Sequence, residues 1–265
     1  METSTCSRET PGDAGLRPGG LAVERRFVSE WQTTPGVRAP LLRRVCWAVL
    51  FAAALGYIEA GVVVYLREIL VPFRRSHFPE AAREPLPLLR PEVLAEAGRE
   101  YERLLAVEVA REVMPILALL AMAWALRRRR GELAAFFVLG FGLWDIFYYV
   151  FLKVLLDWPA SLGTWDVLYL IPTAWVAPVW APLVVSTTMA AAGMAFLFRR
   201  RGARRAPGSI FAWGLVAVGV ALVIASFLLR TGEAFGGVPQ RFDWAWFAAG
   251  WLAAVTALAW LLRPV

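Results

Sequence analysis

At 265 residues the chain could hold one or two soluble domains, but 59% of its residues are hydrophobic and they gather in runs of about 20 or more, which excludes an ordinary soluble globule. The formal charge of +7 lies in short basic clusters between those runs, where it reads as a membrane-topology signal; nucleic-acid binding is rejected on that ground. The cysteines, Cys6 and Cys46, supply neither a disulfide framework nor a metal spacing, and the lone His77 excludes bis-histidine haem ligation and the usual zinc-protease helix. No cofactor is named by any motif. Every basic residue except Lys153 is arginine, a bias that points to a GC-rich bacterial genome.

Residues Met1 to Pro40 mix Gly, Pro, Ser, Thr and both signs of charge without an apolar period, so a disordered tail is expected there. The first span runs from Leu41 to Leu66 behind Arg38, with Arg43 and Arg44 at its start. Glu59 shares a face with Ala52, Gly56 and Val63, small enough to let a neighbouring helix approach closely. A polar, proline-rich loop is expected over residues 67–100, its tail helical from Pro91. The stripe Glu100, Leu104, Glu108, Arg111, Glu112, Pro115 keeps helical spacing into a second span that ends near Leu126.

After the basic block Arg127 to Arg130 comes a third span, Leu133 to Leu156, with Asp145 near its middle and Tyr148, Tyr149 and Lys153 on the same face. Asp157 and Asp166 follow in a loop whose Trp158, Pro159, Gly163 and Trp165 suggest a turn or a dipping interfacial segment. The fourth span is expected from Leu168 to Phe198, a long helix broken by Pro172, Pro178 and Pro182, and it ends in Arg199, Arg200, Arg201, Arg204 and Arg205. The fifth, Ile210 to Leu229, and the sixth, Trp244 to Leu262, carry no interior charge and are joined by TGEAFGGVPQRFD.

The dense arginine clusters follow even-numbered spans, which predicts an all-α protein of six spans with both termini in the cytoplasm of a bacterial inner membrane. An aspartate at mid-span costs roughly 2.5 to 3.5 kcal/mol on insertion scales, so Asp145 needs a polar partner. Counting ~1.5 Å of rise per residue from the outer helix ends puts Glu59 about 10 Å deep, Glu108 about 8 Å, Arg111 and Glu112 about 12 to 14 Å and Asp145 about 16 Å. All lie in the outer half, level with the prolines of the fourth span. The expected site comprises Glu59, Glu108, Glu112 and Asp145 as ligands, proton carriers or ligands of a hard divalent cation, with Arg111 and Lys153 balancing charge or holding an anionic group and Tyr149 and Trp175 nearby. Trp144, Trp175 and Trp180 are the candidates for an aromatic box, and Ser186, Thr187 and Thr188 read as packing residues of the inner half.

Three functions stay open from the sequence. The leading one is binding or movement of a small solute or cation, with proton coupling an option. Its rival is an intramembrane enzyme, metal-dependent or not, acting on a lipid, quinone or isoprenoid. An accessory or sensor subunit whose buried charges only fix helix register is the third. The bilayer is the one certain partner, and the sequence names neither substrate nor oligomeric state.

Overall fold

Apolar runs of this length have one local solution in lipid, the α-helix, because it satisfies each backbone donor and acceptor from within the segment. The computed structural model describes residues 38–90, 92–93, 98–199 and 209–263. The expected disordered tail before residue 38, the helix start at Pro91 and the arginines at 200, 201, 204 and 205 lie outside the described residues. Residues 1–43 form one contact unit and 44–265 another; only the opening turns of the first helix are described in the former, and the packing of helices and hairpin belongs to the latter.

The helices are α1 (Arg38–His77), α2 (Arg99–Leu126), α3 (Arg130–Leu156), α4 (Trp180–Phe198), α5 (Ser209–Leu228), the single turn α6 (Thr231–Ala234) and α7 (Trp244–Leu262). Five stretches among the described residues are long and apolar enough to cross a membrane: Ala39–His77, Gly131–Leu156, Trp180–Phe198, Ile210–Ala234 and Trp244–Leu262. The helix α2, expected as the second of six spans, is not among those five. It is uncharged only from Val113 to Leu126, and its first half carries Glu108, Arg111 and Glu112.

Two expectations are corrected. Helix α1 does not stop at Leu66 but continues for 40 residues, about 60 Å, twice the ~30 Å thickness of a hydrocarbon core. The stretch 67–77, expected as loop, is therefore helix. The expected proline-broken fourth helix is also absent: β1 (Trp165–Tyr169) and β2 (Trp175–Pro178) pair antiparallel, with Trp165 opposite Pro178, Asp166 opposite Ala177 and Val167 opposite Val176. Trp, Val and Tyr fit a half-buried pleated surface better than a helix. Pro172 falls in the connection between the strands, Pro178 ends β2, and Pro182 sits in the first turn of α4, where a missing N–H costs no helical bond. The chain is mostly helical, with this one two-stranded hairpin among the described residues. Relieved of residues 168–179, α4 is 19 residues long, about 28 Å, enough to cross the core alone.

Small residues set the helix crossings. A methyl group on Gly56 would lie 2.9 Å from the backbone nitrogen of Tyr148, so α1 packs directly on the α3 backbone, as the face Ala52, Gly56, Glu59, Val63 leads one to expect. Gly142 of α3 lies against the Ser186 carbonyl of α4, and Gly193 of α4 against Ala135 and Leu139 of α3, an antiparallel pair. Gly219 of α5 and Gly250 of α7 each face the other's carbonyl.

At the basic end, the Arg44 guanidinium donates to the Leu126 carbonyl at 2.9 Å and to Glu132 at 2.7 Å, and Arg199 donates to the Leu261 and Arg263 carbonyls at 2.8 and 2.9 Å. At the opposite end, buried Arg74 on the α1 extension donates to the carbonyls of Ala81, Ala82 and Pro87. The Leu88 N–H reaches the Ala234 carbonyl at 2.8 Å, and the Thr231 hydroxyl donates to the Ala174 carbonyl. A small cluster of Leu86, Val176 and Ala234 lies under these bonds, tying loop, hairpin and α6 into one cap.

Candidate functional site

The helix α1 presents Glu59, Val63, Leu66, Arg67, Leu70 and Arg74 along one face, and this face forms a wall of a cavity of ≈ 1450 Å³. The other walls come from α2, α3, the hairpin, α4, α5 and α7. Drug-sized ligands occupy pockets of about 300 to 1,000 Å³, so this space suits a larger occupant. Several wall residues also keep a face to the outside: Val113 of α2 is 41% exposed, and Trp213 and Val220 of α5 are 58% and 48% exposed. These accessible wall residues lie on α2 and α5.

Its two halves differ in chemistry. Towards the cap it is lined by Glu59, Glu108, Arg111, Glu112, Asp145, Asp166 and Arg67. Below Asp145 the described walls are Val138, Phe141, Val185, Met189, Ala192, Trp251 and Leu258, with Thr188 as the main polar interruption and no ionisable group before Arg199. An amphipathic lining of this kind matches a molecule with one polar and one apolar end.

The carboxylates do not meet in one cluster. Arg111 donates to both oxygens of Glu108, at 2.8 and 2.6 Å, and also pairs with Glu59 across the gap between α2 and α1. The expected charge-balancing role of Arg111 is thereby given its partners. Glu112, one residue on and buried, turns to the hairpin and accepts the Leu170 N–H at 3.0 Å. Asp145 accepts the Ser186 hydroxyl at 2.7 Å. Among the described residues, no three of His, Cys, Asp and Glu come together in a way that could hold a metal ion.

The side chains expected to form a stripe with Asp145 separate. Tyr149 donates to Asp166 at 2.9 Å, joining α3 to the first strand. Burial pushes the Asp166 carboxyl up to about 6, against the Tyr149 hydroxyl and the Val167 N–H, which favour its charged form. Lys153 is exposed and lies outside the cavity: it pairs with Asp157 at 2.7 Å and donates to the Pro159 carbonyl at 3.2 Å, fixing the turn that leads out of α3. The Asp157 carboxyl is held below its ordinary value by that bond. Trp144 and Trp175 line the cavity as expected. Trp180 does not; it stacks on Trp244 at 4.2 Å and meets Phe242 and Phe247 edge-on.

Ser186 is a correction with a simple cause. Measured from a helix that starts at Trp180, it lies about 9 Å in, beside Asp145. Sequence reasoning missed three further contributors: the Leu170 N–H, Asp166 as the acceptor for Tyr149, and Arg67. The last was visible as a charge just past a hydrophobic run, but it was placed in the expected polar loop.

Hydrogen-bonding capacity is unevenly spent. Glu59, Glu108, Glu112, Asp145 and Asp166 each have at least one donor. The Trp144 and Trp175 indole N–H groups and the Tyr169 hydroxyl, all in the cavity wall, have no acceptor among the described residues. Arg67, half-buried in the same wall, has neither a hydrogen bond nor an ion pair among them, and its guanidinium lies 4.6 Å from the ring centroid of Trp158. The unspent capacity is in donors. Comparison with known protein families, curated proteins and solved structures finds no match to this chain.

Proposed function

We propose that this protein binds a membrane-soluble amphiphile, of the lipid, quinone or isoprenoid class, which enters sideways between α2 and α5. The observation that carries the reading is the division of the cavity, polar beside the cap and apolar below Asp145, over a volume of ≈ 1450 Å³. A continuous polar path would suit movement of an ion, and none runs past Asp145 among the described residues. The reading includes the finer topology drawn from the arginine distribution: α1 to α5 and α7 as six spans of a bacterial cytoplasmic membrane, both termini cytoplasmic, the cap on the outer side. The test is to purify the full chain in mild detergent and analyse it by native mass spectrometry beside Ala192→Phe, which places a ring in the apolar half. A co-purifying amphiphile that is lost in the variant supports the reading. Its absence from both proteins, after exposure to total membrane lipid, defeats it.

A second reading keeps to a cation or proton. It is favoured by the acidic groups of the polar half, since within the helices Glu59, Glu108, Glu112 and Asp145 face the cavity against Arg67, Arg74 and Arg111. Under it Asp145 and Glu112 are the proton carriers. Proton uptake by proteoliposomes that disappears in Asp145→Asn, with fold intact, would place it first.

A further inference from the structure

Arg67 brings five N–H donors to the cavity wall, and none of them is used within the described protein. A half-buried guanidinium whose donors stay accessible in a largely apolar wall is suited to take a carboxylate or phosphate on its fork, because even partial desolvation of an unpaired charge is costly. Its aromatic neighbour explains the orientation, not the unused donors: Trp158 supports the flat face of the group and spends its own indole N–H on Glu84 at 3.0 Å, leaving the edge of the guanidinium without an acceptor. The nearby acids do not supply one. Asp166 is taken up by Tyr149 and the Val167 N–H, and Glu84 by Trp158. The next arginine on the same face, Arg74, is spent on loop carbonyls, so this face of the α1 extension carries two positive charges without a paired acid.

Depth supplies the second argument. Arg67 lies 23 residues beyond Arg44, about 35 Å along the helix axis, just past a ~30 Å hydrocarbon core and level with a lipid head group. An amphiphile whose tail fills the apolar half of the cavity brings its head to this height. Resting on the amphiphile reading above, we propose that Arg67 holds the oxyanion of that molecule, a phosphate ester at the head of a single-chain lipid.

The experiment uses the full chain in detergent and three probes: an oleoyl lysophosphatidic acid, the monooleoylglycerol that lacks only its phosphate, and inorganic phosphate. In the unaltered protein the phosphorylated lipid should bind at least tenfold more tightly than the neutral one. Arg67→Gln should remove that advantage, so that the two lipids bind within about twofold of each other, while Arg67→Lys, which keeps charge but loses the fork, should fall between. Arg67 holds no other residue by a hydrogen bond, so these variants should keep the elution profile of the parent. Equal binding of the two lipids, or an advantage that survives Arg67→Gln, overturns the head-group assignment and leaves the amphiphile reading standing. Displacement of the phosphorylated lipid by inorganic phosphate at matched concentration overturns the lipid source in favour of a free anion. Failure of both lipids to bind overturns the two readings together.

Discussion

Replacing Arg111 by Met removes the cation from between two carboxylates whose side chains are only 10% and 16% exposed. The loss is not of one contact: Arg111 donates twice to Glu108 and once to Glu59, and charge-assisted bonds of this sort contribute about 1.5 to 3 kcal/mol each before the cost of the acids left behind. Breaking a buried pair by removing one partner typically costs about 3 to 5 kcal/mol, chiefly because the remaining charge has no compensation. Here two acids remain, on α1 and α2, facing each other. At about 2 to 4 °C per kcal/mol for a chain of this size, the midpoint of thermal unfolding in detergent should fall by on the order of 10 °C. Adding Glu59→Gln and Glu108→Gln to Arg111→Met should restore most of the loss, because a fully neutral trio leaves no uncompensated charge. The assay is loss of the monodisperse gel-filtration peak after heating. A single variant within about 2 °C of the parent, or a triple variant as weak as the single, would refute the reasoning.

Ser186→Ala leaves Asp145 without its donor and should destabilise by about 1.5 to 3 kcal/mol; the same change in an Asp145→Leu background should cost much less, which a double-mutant cycle in the heating assay would measure. Gly142→Val should push α3 from α4, since its side chain would fall on the Ser186 carbonyl and the Ala190 nitrogen, at a cost of about 1 to 3 kcal/mol seen as a lowered midpoint; Gly61→Ala, where nothing is close, serves as the neutral control. Asp166 makes a pH prediction. Its folded carboxyl titrates at about 6 against an ordinary 3.8, so the folded protein binds the proton more tightly than the unfolded chain. Relative to Asp166→Asn, the wild type should therefore be most stable near pH 4 and lose on the order of 2 to 3 kcal/mol as the pH rises through 6. A difference between the two proteins that is flat from pH 4 to 7.5 would overturn the burial argument.

The helices were legible where composition alone decides. The span Trp244–Leu262 coincides with α7, and α3 and α5 begin within a few residues of their expected starts, because uninterrupted apolar runs bounded by arginine or glycine have few alternatives. The hairpin was hidden by its hydrophobicity: over residues 168–179 an apolar count reads a helix as readily as a buried strand, and only Trp165, Val167 and Tyr169, alternating before a Pro-Thr connection, carried the signal. One misplaced boundary then spread. Starting the fourth helix 12 residues early set Ser186 about 18 Å too deep and concealed the partner that Asp145 needed. The pairing of Arg111 was foreseeable from charge, whereas Glu112 turning to a backbone N–H was not, since no side-chain pattern advertises a main-chain donor.

Gly219 and Gly250 lock α5 and α7 by their backbones, while an aromatic cluster of Phe227, Phe242 and Phe247 closes the cap end of the same pair. Two helices joined so closely act as a single strut, braced against α4 at Ala181 and against β2 at Ala177. One jamb of the proposed side opening is therefore a stiff post. The width of the doorway is governed by where the post stands, and so by residues along the α4 seam that no ligand touches. Substitutions there should change which molecules are admitted without altering the lining that receives them.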